Sequence, residues 1–150
     1  EGKNQADLLE KTMAYLKQAK ERYAVRYMER MQQGFRKFTE ILDGAVADRL
    51  KLDVDLQPGE EAVGSLHSQD YMSTGLREFA GICTRLALVE AMYEGEKPFL
   101  VMDDPFTNLD EKKVERGWQF LERLSSEYQI IYFTCHGSRC KAGNAIRQEG

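Results

Sequence analysis

The sequence predicts an α/β chain in which parallel strands flanked by helices follow one long helix. Two observations carry this. The apolar runs "FLVM" (99–102) and "QIIYFTCH" (129–136) alternate with amphipathic stretches in the order helix, strand, helix, strand. Uniformly apolar strands in that order indicate parallel pairing inside an α/β layer. Ahead of them, residues 4–42 contain no proline and repeat their apolar residues at helical spacing.

In that first segment the apolar positions are Leu9, Leu16, Tyr23, Tyr27, Met31, Phe35, Phe38 and Leu42. The early spacing of seven fits a coiled-coil heptad, and the later three-and-four spacing fits a stripe facing a globular core. Two readings are open: an amphipathic helix docked on its own domain, with Tyr15, Tyr23 and Tyr27 as packing residues, or the last turns of a coiled coil entering a head. Gly34 is a weak point, costing about 1 kcal/mol relative to alanine within a helix. Asp43-Gly44 reads as the stop. "LKLDVDL" (50–56) alternates like a half-exposed strand and "QPGEE" like a turn; residues 57–70 read as loop with at most one short strand. Residues 74–93 read as a helix with Ser73 at its N-cap. "FLVM" is a short buried strand, residues 111–126 a second amphipathic helix bearing Val114, Trp118, Leu121 and Leu124, and "QIIYFTCH" another buried strand. The tail, 140–150, is polar and expected to fray.

With 42% hydrophobic and 31% charged residues, the composition is that of a globular chain. No apolar run approaches the ~20 residues of a membrane span, and no membrane partner is expected. The net charge of −4 gives no support to a general nucleic-acid surface. The chain starts at Glu1 without a methionine, so it is expected to be part of something longer. Cys83, Cys135 and Cys140 form an odd set without paired spacing, which suits a reducing, cytoplasmic setting. Cys135-His136 with Cys140 lacks both the C-x-x-C spacing and a fourth ligand, so no zinc centre is expected.

The chemistry concentrates in "FLVMDDPFTNLDEKK" (99–113). Adjacent carboxylates at the end of an apolar strand repel one another and desolvate badly, so they need something to hold. In a parallel sheet, functional groups gather at the carboxyl ends of the strands. Asp103 and Asp104 end one strand, and Thr134-Cys135-His136 ends the next. A carboxylate there can hold Mg²⁺, its neighbour can activate water, and a histidine can touch a leaving phosphate. All are expected in one crevice. A turn built by "DDP" competes with this reading, since aspartate and proline favour turns. A receiver domain competes less well, because no earlier acidic pair and no later strand ending in lysine is present. Ser73, a small residue and Gly75 at a helix start add an anion site to the ordered set.

These residues resemble the ABC-type ATPase heads of the SMC (structural maintenance of chromosomes) and double-strand-break-repair class. Met72-Ser73-Thr74-Gly75-Leu76-Arg77 is similar to the signature L-S-G-G-[EQ]-[KR], "FLVMDD" to the Walker B strand, Asn108-Leu109-Asp110 to the D-loop and His136 to the switch histidine. The resemblance runs from the arm to about residue 139. It implies the C-terminal half of a P-loop NTPase (ABC-type) head, with residues 1–43 as a coiled-coil arm and 44–150 as the lobe.

The same resemblance implies ATP and Mg²⁺ as cofactors. Asp103 would hold Mg²⁺, Asp104 polarise the attacking water, and His136 sense the γ-phosphate. Ser73, Thr74 and Gly75 would bind the γ-phosphate of a nucleotide on the opposite head, and Asp110 would pack across that interface. Partners would be an N-terminal lobe of the same protein, a second head, and DNA in the full-length protein, with nucleoid association in a bacterium. The sequence contains no G-x-x-x-x-G-K-[ST], and the resemblance puts that loop on the N-terminal lobe. The chain alone is therefore expected to be inactive. A nucleotide-gated dimerisation head that does not hydrolyse ATP, and a helical interaction module, are the alternatives.

Overall fold

The computed structural model describes residues 2–53, 55–62, 65–68, 70, 72–93, 95–137 and 143, without the side chains of 2–7, 62 and 68. Val54, Cys140 and all of the tail 140–150 except Gly143 lie outside the described residues. The elements are α1 (Gly2–Leu42), α2 (Gly44–Ala47), β1 (Leu50–Leu52), β2 (Pro58–Ala62), β3 (Ser65–Ser68), α3 (Thr74–Met92), β4 (Leu100–Asp103), α4 (Glu111–Leu124) and β5 (Ile130–Phe133). No helix among the described residues is long and apolar enough to cross a membrane.

α1 changes character along its length, as its spacing implies. Leu9, Leu16 and Tyr23 are exposed, whereas Met31, Phe35 and Phe38 are buried in the core that α3, α4 and the strands share. Tyr15 and Tyr23 are exposed rather than packed, while Tyr27 lies against the core. Gly34 is no defect. A Cβ there would meet the Ala87 Cα of α3 at 3.1 Å, so the glycine lets the two helices cross at close range. Asp43 ends α1 and caps α2, accepting from the Ala45 N–H.

The segment 57–70 departs from expectation. It forms β2 and β3, which with β1 make an antiparallel sheet in the order β1-β2-β3. A turn lies earlier, after β1, where the Asp53 Oδ1 accepts from the N–H groups of Asp55 and Gln57, both at 2.8 Å. Pro58 opens β2, a strand position that tolerates its missing N–H. Gly59 admits the Leu66 side chain of β3, whose Cγ would lie 2.8 Å from an added Cβ.

β4 and β5 pair in parallel, Leu100 opposite Ile130 through Asp103 opposite Phe133. Their burial corrects the expectation of strands covered on both faces. Leu100, Met102, Ile130 and Tyr132 face the core, but Phe99, Val101, Ile131 and Phe133 are exposed. Helices cover one face of this ribbon and leave the other apolar and open. Trp118 packs on Tyr132 at 4.8 Å and Phe120 is buried, so both serve the core.

A charged cluster ties the foot of α1 to the rest. Lys37 Nζ lies 2.6 Å from Glu90 and 2.8 Å from Glu127; Lys97 pairs with the same two carboxylates, and the Tyr128 hydroxyl donates to Glu90 at 2.9 Å. Burial pushes the Glu90 carboxyl up, but hydrogen bonds from Lys37, Lys97 and Tyr128 outweigh it and bring the group down to about 2. The folded pKa is thus below the ordinary 4.5 of glutamate, so this stabilisation is present above that value and is lost as pH falls toward about 2. Glu90→Gln is expected to lower stability at pH 7 by about 1.5–3 kcal/mol, the scale of a charged hydrogen bond, and to flatten acid unfolding between those values. Denaturant titrations at pH 7 and pH 3 check this, and equal losses at both would remove Glu90 as the acid-sensitive group.

Candidate functional site

β4 ends on the first of two adjacent carboxylates, Asp103, and Asp104 follows it directly. Met102 faces the core, so alternation turns Asp103 to the open face beside Val101. Asp104 lies one step beyond, in the left-handed region at φ 39°, where a non-glycine residue is uncommon but aspartate is among the tolerated types. Its backbone is well held: its N–H donates to Phe133 O at 2.8 Å, and its carbonyl accepts from the Thr107 hydroxyl at 2.7 Å. The following Phe106 is fully buried and plugs the turn into the core.

The Asp104 side chain, only 14% exposed, points to the end of β5. There the Cys135 thiol donates to its Oδ2 at 3.7 Å, and His136 Nε2 also lies 3.7 Å from that oxygen. The imidazole is therefore near the carboxylate without a direct hydrogen bond, within reach of an atom placed between them. The His136 N–H donates to Thr134 Oγ1 at 3.1 Å, which orients the turn. The structure thus brings Asp104 and His136 together at the ends of β4 and β5, with Asp103 the exposed last residue of β4.

Ser73, Thr74 and Gly75 belong to a second group. Ser73 caps α3, its Oγ accepting from the Leu76 N–H at 3.3 Å. Asp110 caps α4 in the same way, accepting from the Lys113 N–H at 3.0 Å. The two helix starts lie side by side. The Lys113 stem covers Gly75, whose added Cβ would fall 2.4 Å from the Lys113 Cδ, and the Lys113 ammonium reaches Asp110 at 2.7 Å. Asn108 extends the link, its amide donating to Glu78 of α3 at 3.4 Å. The Lys113 ammonium and N–H hold the Asp110 carboxyl below the usual carboxylate range. Ser73 and Thr74 remain exposed.

Sequence reasoning assigned no role to Lys113, and it weighed Cys135 as a ligand only together with Cys140 and not with Asp104. No spacing signals either: the first acts across two helices, and the second meets a carboxylate 31 positions away. The carboxylate oxygens of Asp103 and Asp104 suit a hard cation such as Mg²⁺. The sequence holds no glycine-rich loop with a lysine to grip a nucleotide's phosphates.

Among solved structures the chain superposes on an SMC ATPase chain, studied for ATP-driven dimerisation and DNA-stimulated activation. The TM-score is 0.59 at 19% identity, over 76% of this chain and 72% of that one. The fold is SMC-like. No family model matches the sequence, and no curated protein does. The likeness concerns the fold alone.

Proposed function

We propose that this chain is the C-terminal half of an SMC-like ATPase head, hydrolysing ATP at the interface of two heads in DNA repair or chromosome maintenance. The observation that carries the reading is the meeting of Asp104 and His136 at the carboxyl ends of two adjacent parallel strands. Residues 1–43 act as the arm, rooted by Met31, Phe35 and Phe38 in the core of the lobe 44–150. An N-terminal lobe carrying the phosphate-gripping loop covers the open apolar face of Val101, Ile131 and Phe133.

Asp103 would hold Mg²⁺, which when bound would supply charge neutralisation at the phosphate oxygens. Asp104 accepts a hydrogen bond from the attacking water and draws off its proton, and His136 donates to the phosphate. Ser73, Thr74 and Gly75 offer a helix N-terminus to the γ-phosphate on the opposite head. Asp110, fixed by Lys113, lies beside them at that interface. DNA engages the full-length protein, which we place in the cytoplasm or on a bacterial nucleoid.

A second reading, a head that pairs around nucleotide without hydrolysing it, draws on the Cys135 thiol already donating to Asp104. Both readings predict that the isolated chain shows no appreciable Mg-ATP binding by calorimetry, and micromolar affinity would show that the lobe has been misassigned. Co-production with the upstream half of its gene is expected to yield Mg-ATP turnover that rises with head concentration. ATP-dependent pairing without turnover would instead favour the non-hydrolysing clamp.

A further inference from the structure

We propose that Asp104, Cys135 and His136 form a binding site for a borderline-soft divalent cation of the zinc class, distinct in chemistry from the Mg²⁺ position assigned to Asp103. One carboxylate oxygen, one thiol sulfur and one imidazole nitrogen lie within 4.8 Å of one another there. Cys135 Sγ and His136 Nε2 are each 3.7 Å from the Asp104 Oδ2. Around a tetrahedral zinc, with bonds of about 2.0–2.3 Å, such atoms stand about 3.3–3.6 Å apart. A few tenths of an ångström close the two edges at Asp104. The remaining sulfur–nitrogen edge closes by rotation of Cys135 and His136, both of which are exposed.

The donor set selects the metal. Thiolate and imidazole suit zinc, whereas Mg²⁺ takes oxygen ligands in an octahedral shell. Asp104 is the fixed corner, its backbone bonded to Phe133 and Thr107 and its side chain mostly buried. On binding, the Cys135 S–H bond breaks, its proton leaves to solvent, and sulfur and carboxylate share the cation in place of that proton. Three protein ligands leave one position for water. Cys83 does not compete, being fully buried with its thiol pushed up to about 12 by that burial. Occupancy takes the Asp104 carboxylate out of water activation and the His136 imidazole away from the phosphate. This last consequence, zinc inhibition of turnover, rests on the ATPase reading; the site itself does not.

The test uses the chain with Co²⁺ as a spectroscopic probe and Zn²⁺ as competitor. The expected result is one Co²⁺ per chain with a thiolate-to-cobalt charge-transfer band, displaced by equimolar Zn²⁺ and unaffected by millimolar Mg²⁺. Cys135→Ser, at an exposed position whose folding circular dichroism can verify, abolishes the band. His136→Ala weakens binding at least about tenfold, and Cys83→Ser and Cys140→Ser keep the band. Absence of a charge-transfer band, or its survival in Cys135→Ser, would overturn the site. The completed head separates the two proposals. Cobalt binding with no turnover at any zinc level leaves the metal site standing and removes the ATPase. Turnover in a chain that gives no charge-transfer band does the reverse.

Discussion

In the completed head, Asp104→Asn is expected to reduce Mg-ATP turnover by about 10²- to 10⁴-fold, the usual worth of a positioned general base, while ATP-dependent pairing persists. The substitution isolates charge from shape. Asparagine keeps an acceptor oxygen and the same number of heavy atoms, and it is among the residues that tolerate the left-handed backbone found at this position. It cannot take a proton from water. Steady-state turnover and light scattering, measured on the same preparations, separate chemistry from assembly. Undiminished turnover would move the base elsewhere, and loss of pairing together with turnover would make Asp104 a structural element of the interface.

Phe106→Ala is expected to cost about 3–5 kcal/mol of stability, the range for truncating a fully buried aromatic. For a chain of this size that is roughly 6–20 °C in Tm. The ring is fully buried, with centroids 6.1 Å from Phe79 and 6.3 Å from Tyr132. It also fills the space over Gly117, where any Cβ would sit 2.6 Å from its Cζ. Phe106 therefore joins α3, α4 and β5 at one point. It lies two residues after Asp104, so the same truncation loosens the turn that aims the carboxylate at His136. Urea unfolding checks the magnitude. A loss below about 1 kcal/mol would mean that the turn is held by its hydrogen bonds rather than by the plug.

Several features could be read from residue order because they depend on neighbours a few positions apart. The three long helices follow from apolar periodicity, and the Ser73 cap from a hydroxyl standing before an apolar run. The left-handed backbone of Asp104 was not readable, because it depends on the turn that Phe106 and Thr107 close beyond β4. The pairing of β2 with β3 was hard to read as well, because Pro58-Gly59 carries a strong turn signal and only their pairing with Leu52, Lys51 and Ser68 makes them strand. Gly34 looked like a helix defect until Ala87 was seen against it.

By itself, then, the sequence determined the long amphipathic helix, the parallel α/β order and the carboxylates at a strand's end, all set by local periodicity and by where an apolar run stops. Tertiary structure alone decided which face of the β4–β5 ribbon is left open, that Lys113 bridges Gly75 and Asp110, and that Cys135 joins Asp104 and His136. The reason is physical. Local propensity acts within a turn or two of chain, whereas burial and side-chain encounter depend on which distant segments the packing of α1, α3 and α4 brings together.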